Sequence, residues 1–221
     1  YSEANIKFVG SHAGVSIGED GPSQMGLEDI AMFRSMIGSV VLYPSDAIST
    51  EKLVEEAAKH QGNVYIRTTR KETPILYKAT DSFPIGGSKT LKKSSKDIVT
   101  VIGAGITLHE ALAAYEELKK EGIFIRVIDL YSIKPVDTAA LKKAAKETKA
   151  IIVVEDHFPE GGIAEAIFFH LGGGTDRTLR EINVISLAVR KIAGSGKPQE
   201  LLDFEGISKG AIIKAVKKVR R

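Results

Sequence analysis

The sequence contains no cysteine, which excludes a disulfide framework and a metal site built from thiolates. Its five histidines are scattered along the chain and form neither an HxxxH nor an HExxH pair, so we expect no zinc site. No apolar run reaches the roughly 18 residues that a membrane-spanning helix requires, and the first residues do not resemble a signal peptide. We therefore expect a cytoplasmic protein without a membrane partner.

The excess of positive over negative charge is also small, because the net charge is only +3 at pH 7. Much of this small excess lies at the C-terminus, at Lys217, Lys218, Arg220 and Arg221. Aromatic residues do not interleave with these cations, as they would in many surfaces that bind nucleic acid. The pattern favours the solvated face of a helix, and we expect no nucleic-acid partner.

Apolar runs of strand length alternate with helix-like segments along the whole chain, which is typical of parallel sheets with helical crossovers. In the first part of the chain, strands are predicted at 6–9, 39–43 and 64–68, and helices at 27–36 and 51–59. The alternation then breaks in a segment rich in proline, glycine and lysine. Such a break predicts a linker between two domains.

A second alternating set fills the rest of the chain and has the pattern of a complete small doubly wound α/β domain. The predicted strands are 98–102, 123–130, 150–154 and 182–189, and the predicted helices are 108–120, 135–148, 162–171 and 207–219. The sequence therefore predicts an α/β fold in which residues 1–75 form part of a first domain. Residues 76–96 are the predicted linker and residues 97–221 the predicted second domain.

The most informative segment covers residues 11–24, between the first predicted strand and the first predicted helix. It places His12, Asp20 and Gln24 in one glycine-rich turn. A polar turn at the carboxyl end of a strand is where open α/β sheets bind ligands. Because few residues precede this turn, we expect the chain to be the back part of an enzyme.

Two arginines, Arg67 and Arg70, follow a strand two units further along the chain. Both turns would leave a parallel sheet at the same edge, so these arginines can converge with His12 and Asp20. A guanidinium and an imidazole suit a phosphate monoester, and a carboxylate suits a sugar hydroxyl. The pattern leaves two interpretations open, a site for a phosphorylated sugar or metabolite and a set of surface-loop charges.

Two further glycine-rich segments resemble cofactor motifs only in part. Residues 103–105 (Gly-Ala-Gly) follow a strand and open a helix, but Leu108 stands where a dinucleotide-binding turn has its third glycine, so a structural turn is favoured. Residues 18–21 (Gly-Glu-Asp-Gly) resemble the motif that holds a metal and a diphosphate in thiamine enzymes. No asparagine follows at the distance that this motif needs, so no metal site is predicted there.

The remaining polar candidates are histidines and carboxylates near helix starts. His109 lies early in a predicted helix, at the surface or partly buried. Glu155, Asp156 and His157 follow a predicted strand. Three roles stay open for this trio: a cap of the next helix, a subunit contact and a direct chemical role.

Several segments together resemble the transketolase family of the animal type. They are, in chain order, residues 2–36, which include 11–24, and residues 43–46, 66–70, 99–105, 133–137, 154–157, 161–162 and 195–198. The resemblance extends over essentially the whole chain, in order and at matching spacing. It implies that the chain corresponds to the end of the pyrimidine-binding domain followed by the C-terminal domain.

The resemblance implies an activity that needs more than this chain. The family transfers a two-carbon ketol unit from a ketose phosphate to an aldose phosphate, with thiamine diphosphate and Mg²⁺ or Ca²⁺. The ligands of the diphosphate and the metal would lie in an N-terminal part or subunit, so we expect the chain alone to be inactive. The resemblance further implies a homodimer, in which residues 97–221 are mainly architectural.

The resemblance also implies roles for four residues. His12 and Arg70 would grip the substrate phosphate, and Asp20 would bond a hydroxyl near the reacting carbon. Gln24 would lie beside the thiamine, where many bacterial, yeast and plant relatives carry histidine. None of these residues is assigned a catalytic proton transfer, and an amide such as that of Gln24 cannot titrate.

Two alternatives remain open beside transketolase. One is another thiamine enzyme with the same pair of domains, either a 1-deoxyxylulose-5-phosphate synthase or the β subunit of a 2-oxoacid dehydrogenase. The latter needs no clamp for a sugar phosphate, so Arg70 argues against it. The other alternative is a non-catalytic dimerisation module that retains one edge of a site.

Overall fold

A computed structural model describes residues 2–172 and 182–220 of the chain. The strands are β1 Lys7–Gly10, β2 Val40–Leu42, β3 Val64–Arg67, β4 Lys89–Lys92, β5 Val99–Gly103, β6 Ile125–Asp129, β7 Ser132–Lys134, β8 Ala150–Val154 and β9 Asn183–Leu187. The helices are α1 Asp29–Ser35, α2 Ala47–Lys59, α3 Ile106–Lys120, α4 Thr138–Glu147, α5 Ile163–Gly172, α6 Pro198–Glu205 and α7 Lys209–Arg220. Two short 3₁₀ turns, Val15–Ile17 and Pro22–Gln24, lie between β1 and α1.

Within the described residues, the strands form two sheets. The first has the order β1-β3-β2-β7, in which β1, β3 and β2 are parallel. The second has the order β4-β6-β5-β8-β9, in which the last four strands are parallel. Flanking helices cover both sheets, so the predicted α/β fold is confirmed, with sheets that are mainly parallel and each have one antiparallel edge strand.

Two short strands, β7 and β4, pair with sheets in ways that the sequence pattern did not indicate. The short strand β7 follows β6 in the chain but pairs antiparallel with β2 of the first sheet. Strand β4 lies within the predicted linker and pairs antiparallel with β6 at the edge of the second sheet. Each sheet therefore depends on residues from outside its own run of alternating elements.

The apolar side chains form three clusters that follow the alternation of the strands. In β5, Val99 and Val101 face a cluster with α3, α6 and α7, whereas Ile102 faces the opposite side. That opposite cluster also contains Val41 and Tyr65 of the first sheet, so the two sheets share part of their core. A third cluster lies between the other face of the first sheet and α2.

Polar residues fix where the helices begin. At the start of α2 the Asp46 carboxylate accepts a hydrogen bond from the Ser49 amide (2.7 Å), and the Ser49 hydroxyl accepts one from the Asp46 amide (3.0 Å). This is a reciprocal capping box. Asp137 caps α4 by accepting from the Ala140 amide (3.0 Å), so that helix begins after the Pro135 at which the sequence predicted its start.

The end of the chain also differs from the prediction. One helix was predicted over 207–219, and α7 confirms it, but α6 lies before it and was not predicted. Lys217 on α7 pairs with Glu121, the residue that follows α3, at 2.7 Å and is partly exposed, as expected of a solvated helix face. Arg221, which belongs to the predicted basic tail, lies outside the described residues.

Candidate functional site

The two polar turns singled out in the sequence meet at one edge of the first sheet. Strands β1 and β3 are parallel neighbours, so their carboxyl ends lie side by side. The pairing continues past the strands, because the Thr68 amide donates to Gly10 (2.8 Å) and the Ala13 amide donates to Thr68 (3.1 Å). The segment that carries His12 therefore runs beside the segment that carries Arg70.

Asp20 and Arg70 form an ion pair across this edge. They are 50 residues apart in the sequence, and the strand pairing brings them together as predicted. The Arg70 side chain is 51% exposed and that of Asp20 is 40% exposed. Because exposed pairs contribute about 0–1 kcal/mol to stability, a ligand can open this pair at little cost to the fold.

His12 lies on the segment that runs beside the one carrying Arg70, and its backbone is in a constrained conformation. Its φ is +71°, a region that residues other than glycine rarely adopt. The carbonyl of His12 accepts from the Gly26 amide (2.9 Å), which fixes the strained turn. Its Nδ1 lies 2.6 Å from the Ser11 hydroxyl. Strain of this kind, when held by surrounding bonds, is often found at functional sites.

Gln24 ends the second 3₁₀ turn of the same loop, and its side chain is exposed. The structure thus places all four predicted site residues on two adjacent segments at the carboxyl edge of the first sheet. It brings Asp20 and Arg70 into direct contact. The proposed roles of the four residues remain predictions.

Arg67 is not part of this exposed set, contrary to the interpretation that grouped it with Arg70. Its side chain is fully buried and donates to Asp29 (2.8 Å) and to Asp156 (2.7 Å). A third bond reaches the carbonyl of Gly26 (2.7 Å). The signal in the sequence was an arginine inside an apolar strand, which requires buried acidic partners.

The charges of this buried group stabilise one another. Burial alone would lower the pKa of Arg67, but the carboxylates of Asp156 and Asp29 hold it well above its usual value. Burial would likewise raise the pKa of Asp29, but the Arg67 guanidinium brings it below the usual range. Arg67 and Asp29 therefore remain charged at neutral pH, and the buried guanidinium is used within the fold rather than exposed to a substrate.

Glu155, Asp156 and His157, the three residues that follow β8, make different contacts in the structure. Glu155 accepts hydrogen bonds from the amides of Ile163 and Ala164, so it caps α5, which confirms one of the three alternatives. Burial raises the pKa of Glu155 to about 8. His157 is buried, with Nδ1 2.6 Å from the carbonyl of Phe158.

The glycine-rich segment after β5 forms a structural turn, as predicted. Gly105 has φ +56°, and a Cβ there would lie 2.0 Å from the ring of Tyr43. Its amide donates to the Ser45 hydroxyl (2.9 Å). A side chain of the first sheet therefore occupies the space over this turn. His109 is partly buried, and its Nε2 lies 2.7 Å from the carbonyl of Ser45.

A second buried polar group was missed in the sequence. Asp129 at the end of β6 is fully buried and accepts from the hydroxyls of Tyr77 (2.6 Å) and Ser45 (3.1 Å). Burial raises the pKa of Asp129 to about 7. Each oxygen of the Asp129 carboxylate therefore has a hydroxyl partner within the protein.

The described residues were compared with the requirements of a metal site and of a membrane-spanning helix. Over residues 2–172 and 182–220, no three histidines or carboxylates lie close enough together to hold a metal ion. In the same ranges, the helices are too short or too polar to cross a membrane.

Two family models match the chain in order. Residues 1–75 match the pyrimidine binding domain of transketolase, and residues 88–212 match the transketolase C-terminal domain. The chain belongs to the transketolase family. The resemblance carried by the sequence segments is thereby confirmed.

The relatives of the chain are much longer than the chain itself. Human transketolase is 54% identical over 217 residues, which cover 98% of this chain and 34% of that protein. Mouse transketolase-like protein 2 is 55% identical over the same shares. The chain therefore spans about a third of the length of these transketolase relatives.

Solved transketolase structures share the fold. A structure described as a split gene transketolase, inactive β4 tetramer, superposes with a TM-score of 0.88 at 33% identity, covering 99% of this chain and 68% of that chain. The transketolase of Campylobacter jejuni superposes with a TM-score of 0.74 at 18% identity, covering 96% of this chain and 31% of that chain. The second comparison concerns the fold alone.

Proposed function

We propose that this chain is the C-terminal portion of a transketolase that transfers a two-carbon ketol unit from a ketose phosphate to an aldose phosphate. The observation that carries the proposal is the ion pair of Asp20 and Arg70 at the carboxyl edge of the first sheet, where the segment of His12 also lies. A surface that served only for docking would not need a half-exposed guanidinium, a carboxylate and a strained histidine at one ligand-binding edge.

In this proposal the cations bind the phosphate of the sugar. Arg70 offers a planar set of donors that suits phosphate oxygens, and His12 adds a ring nitrogen. When the phosphate takes over the Arg70 guanidinium, Asp20 loses its partner and can accept a hydrogen bond from a sugar hydroxyl. The ion pair of the structure is then exchanged for two contacts to the substrate.

Thiamine diphosphate would supply the chemistry of carbon–carbon bond cleavage, with Mg²⁺ or Ca²⁺ bound to its diphosphate. The described residues do not fit the metal, because they contain no suitable cluster of donors. We therefore assign the metal and diphosphate to an N-terminal part or subunit. From this chain only Gln24, exposed on the same loop, would contact the thiamine.

The proposal includes a cytoplasmic assembly in which this chain forms a homodimer and combines with an N-terminal transketolase part. A neighbour described as a split gene transketolase supports a division of the enzyme between chains. That neighbour is also described as an inactive β4 tetramer, which supports the expectation that the chain alone has no activity. The second candidate is a chain that serves assembly alone.

One assay decides between these candidates. Ketol transfer from xylulose 5-phosphate to ribose 5-phosphate is measured with thiamine diphosphate and Mg²⁺, first with the chain alone and then with a separately expressed N-terminal part. We expect no turnover in the first case and turnover in the second. Turnover by the chain alone, on material verified by intact mass, would contradict the proposal. Failure of the N-terminal part to restore activity would favour a role in assembly.

A further inference from the structure

The loop that carries the proposed substrate contacts packs against the second half of the molecule, by which we mean the second sheet and the helices that flank it. We define the 12–27 loop as residues 12–27. Its apolar side chains, Val15, Ile17, Met25 and Leu27, are buried in the same cluster as β5, β8, α3 and α7. The loop thus follows β1 of the first sheet in the chain, but these apolar side chains pack against residues of the second sheet and its helices.

Close backbone contacts hold the loop against the second half at several points. Gly14, Gly18 and Gly21 all have positive φ. A Cβ at Gly14 would lie 2.2 Å from the Asp156 carboxylate, and a Cβ at Gly18 would lie 2.9 Å from Pro198. At such positions only glycine allows the approach. The spacing of the glycines therefore matches a surface of the second half.

A short chain of hydrogen bonds connects Asp156 to His12. The Asp156 carboxylate accepts from Arg67 (2.7 Å), and the same guanidinium donates to the carbonyl of Gly26 (2.7 Å). The amide of Gly26 donates to the carbonyl of His12 (2.9 Å). Since Arg67 is fully buried, its orientation is set by these acceptors and by Asp29, to which its Nε also donates (2.8 Å), rather than by water.

The other carboxylate oxygen of Asp156 is also held. It accepts from the hydroxyl of Tyr43 at 2.9 Å, and the guanidinium of Arg67 lies 4.6 Å from the centre of the Tyr43 ring. Asp156 is therefore fixed in a buried site in which both of its oxygens have donors. A group fixed in this way can impose one position on the arginine that it holds.

We propose that Asp156 is a positioning residue that acts through Arg67 to set the conformation of the 12–27 loop and thereby the affinity for sugar phosphates. The C-terminal half then does more than support the fold, because it determines where His12 and Asp20 stand. The proposal deepens the proposed function and rests on it for the effect on sugar affinity. Its structural part, the ordering of the loop, holds or fails independently of any activity.

The structural part is tested by amide hydrogen exchange on the chain. Asp156→Asn removes the charge but keeps the size of the side chain, so the bond to Arg67 weakens. We expect exchange at the amides of Gly14 and Gly26 to accelerate about tenfold. The amide of Val101 in β5 should exchange at the wild-type rate.

A milder variant and a matched control accompany it. Tyr43→Phe removes one donor from Asp156, and we expect a smaller acceleration, about threefold, at the same loop amides. Tyr77→Phe is the control, because it also removes a buried tyrosine hydroxyl from a buried aspartate, Asp129, in a cluster away from the loop. We expect the loop amides of this control to exchange as in the wild type.

The functional part is tested in the assembly of this chain with the N-terminal part. Asp156→Asn should raise KM for xylulose 5-phosphate about tenfold while kcat changes less than about twofold. A general loss of folded enzyme would instead lower kcat and leave KM unchanged, and that result would overturn the functional part.

The hydrogen-exchange experiment and the kinetic experiment together distinguish a failure of this inference from a failure of the proposed function. If the wild-type assembly is inactive, the proposed function fails, and the exchange arm still decides whether Asp156 orders the loop. Should the Asp156→Asn chain not fold, the Tyr43→Phe chain and its Tyr77→Phe control take its place in both arms. Wild-type exchange at the loop amides in every folded variant would overturn the inference.

Discussion

The side chain of Arg70 can be changed with little effect on the fold, because it is half exposed and pairs with an exposed carboxylate. In the proposed site it forms charge-assisted hydrogen bonds to phosphate, which are worth about 1.5–3 kcal/mol. Arg70→Ala in the complete assembly should therefore raise KM for xylulose 5-phosphate by about 10- to 100-fold. Steady-state kinetics measure this change, and the melting temperature should shift by no more than a few degrees.

The matched control for Arg70 is Arg220→Ala, which removes another exposed arginine, at the end of α7. The KM of the Arg220→Ala assembly for xylulose 5-phosphate should equal that of the wild type. The assignment of Arg70 to the phosphate would be wrong if Arg70→Ala kept the wild-type KM, or if both variants changed it equally.

Asp129 makes the stability of the molecule depend on pH. Burial raises its pKa from 3.8 to about 7 in the folded chain, so between these pH values the folded state holds a proton that the unfolded state has released. Stability contributed by this group is present at low pH and is lost as the pH rises to about 7, by up to about 4 kcal/mol. Above pH 7 the contribution is constant.

Asp129→Asn removes that titration and keeps the size of the side chain, with an amide oxygen that accepts from one of the two hydroxyls and an NH2 group that can donate to the other. The free energy of unfolding of the variant, relative to the wild type, should rise between pH 4 and pH 7. Urea unfolding at several pH values measures this difference. The exposed Asp203→Asn serves as the control, and a difference that is flat or falls with pH in Asp129→Asn would contradict the assignment.

At the scale of the elements, most strands and helices follow from the apolar pattern, since each has its own periodicity over several residues. Strand β7 could not be predicted in this way, because it has three residues and its partner β2 lies about ninety residues earlier. Helix α6 begins at Pro198, inside a segment whose glycines and proline suggest a loop. Both elements depend on long-range packing rather than on local sequence.

The capping box of α2 gives a prediction at this scale. Besides the Ser49 amide, the carboxylate of Asp46 accepts from the amides of Leu76 (2.8 Å) and Tyr77 (3.1 Å). Asp46→Ala therefore removes a cap worth about 1 kcal/mol and leaves two further amides without this acceptor, at about 1 kcal/mol or more each. We expect a loss of about 2–4 kcal/mol in the free energy of unfolding, measured with urea.

Asp137→Ala is a matched control for Asp46→Ala, since it removes the cap of α4, where the carboxylate accepts from one amide and from the Ser88 hydroxyl. We expect it to cost less than Asp46→Ala. Equal costs in the two variants would show that the contacts of Asp46 with residues 76 and 77 contribute nothing.

At the scale of the whole molecule, the sequence could place His12, Asp20, Gln24 and Arg70 at one sheet edge, because parallel strands put their carboxyl ends together. It could not separate Arg70 from Arg67, since that distinction depends on Asp156, 89 residues away. The burial of the 12–27 loop in the second half was equally out of reach. Contacts between halves have no periodicity that a single sequence could reveal.

These contacts between halves predict that the two sheets unfold as one unit. Ile133 of β7 is buried in the cluster that contains Tyr65 of the first sheet and Ile102 of the second. Ile133→Ala should cost about 2–5 kcal/mol and should lower the stability of both sheets equally. Native-state hydrogen exchange in rising denaturant measures this at the amides of Tyr65 in β3 and Val101 in β5.

The control is Ile37→Ala, which truncates an isoleucine that is 95% exposed and should change neither amide. In Ile133→Ala the free energies of exchange at Tyr65 and Val101 should fall by the same amount. A fall confined to Tyr65 would show that β7 stabilises only the first sheet and that the halves unfold separately. An equal fall would mean that the shared core around Ile133 joins the two sheets into one cooperative unit.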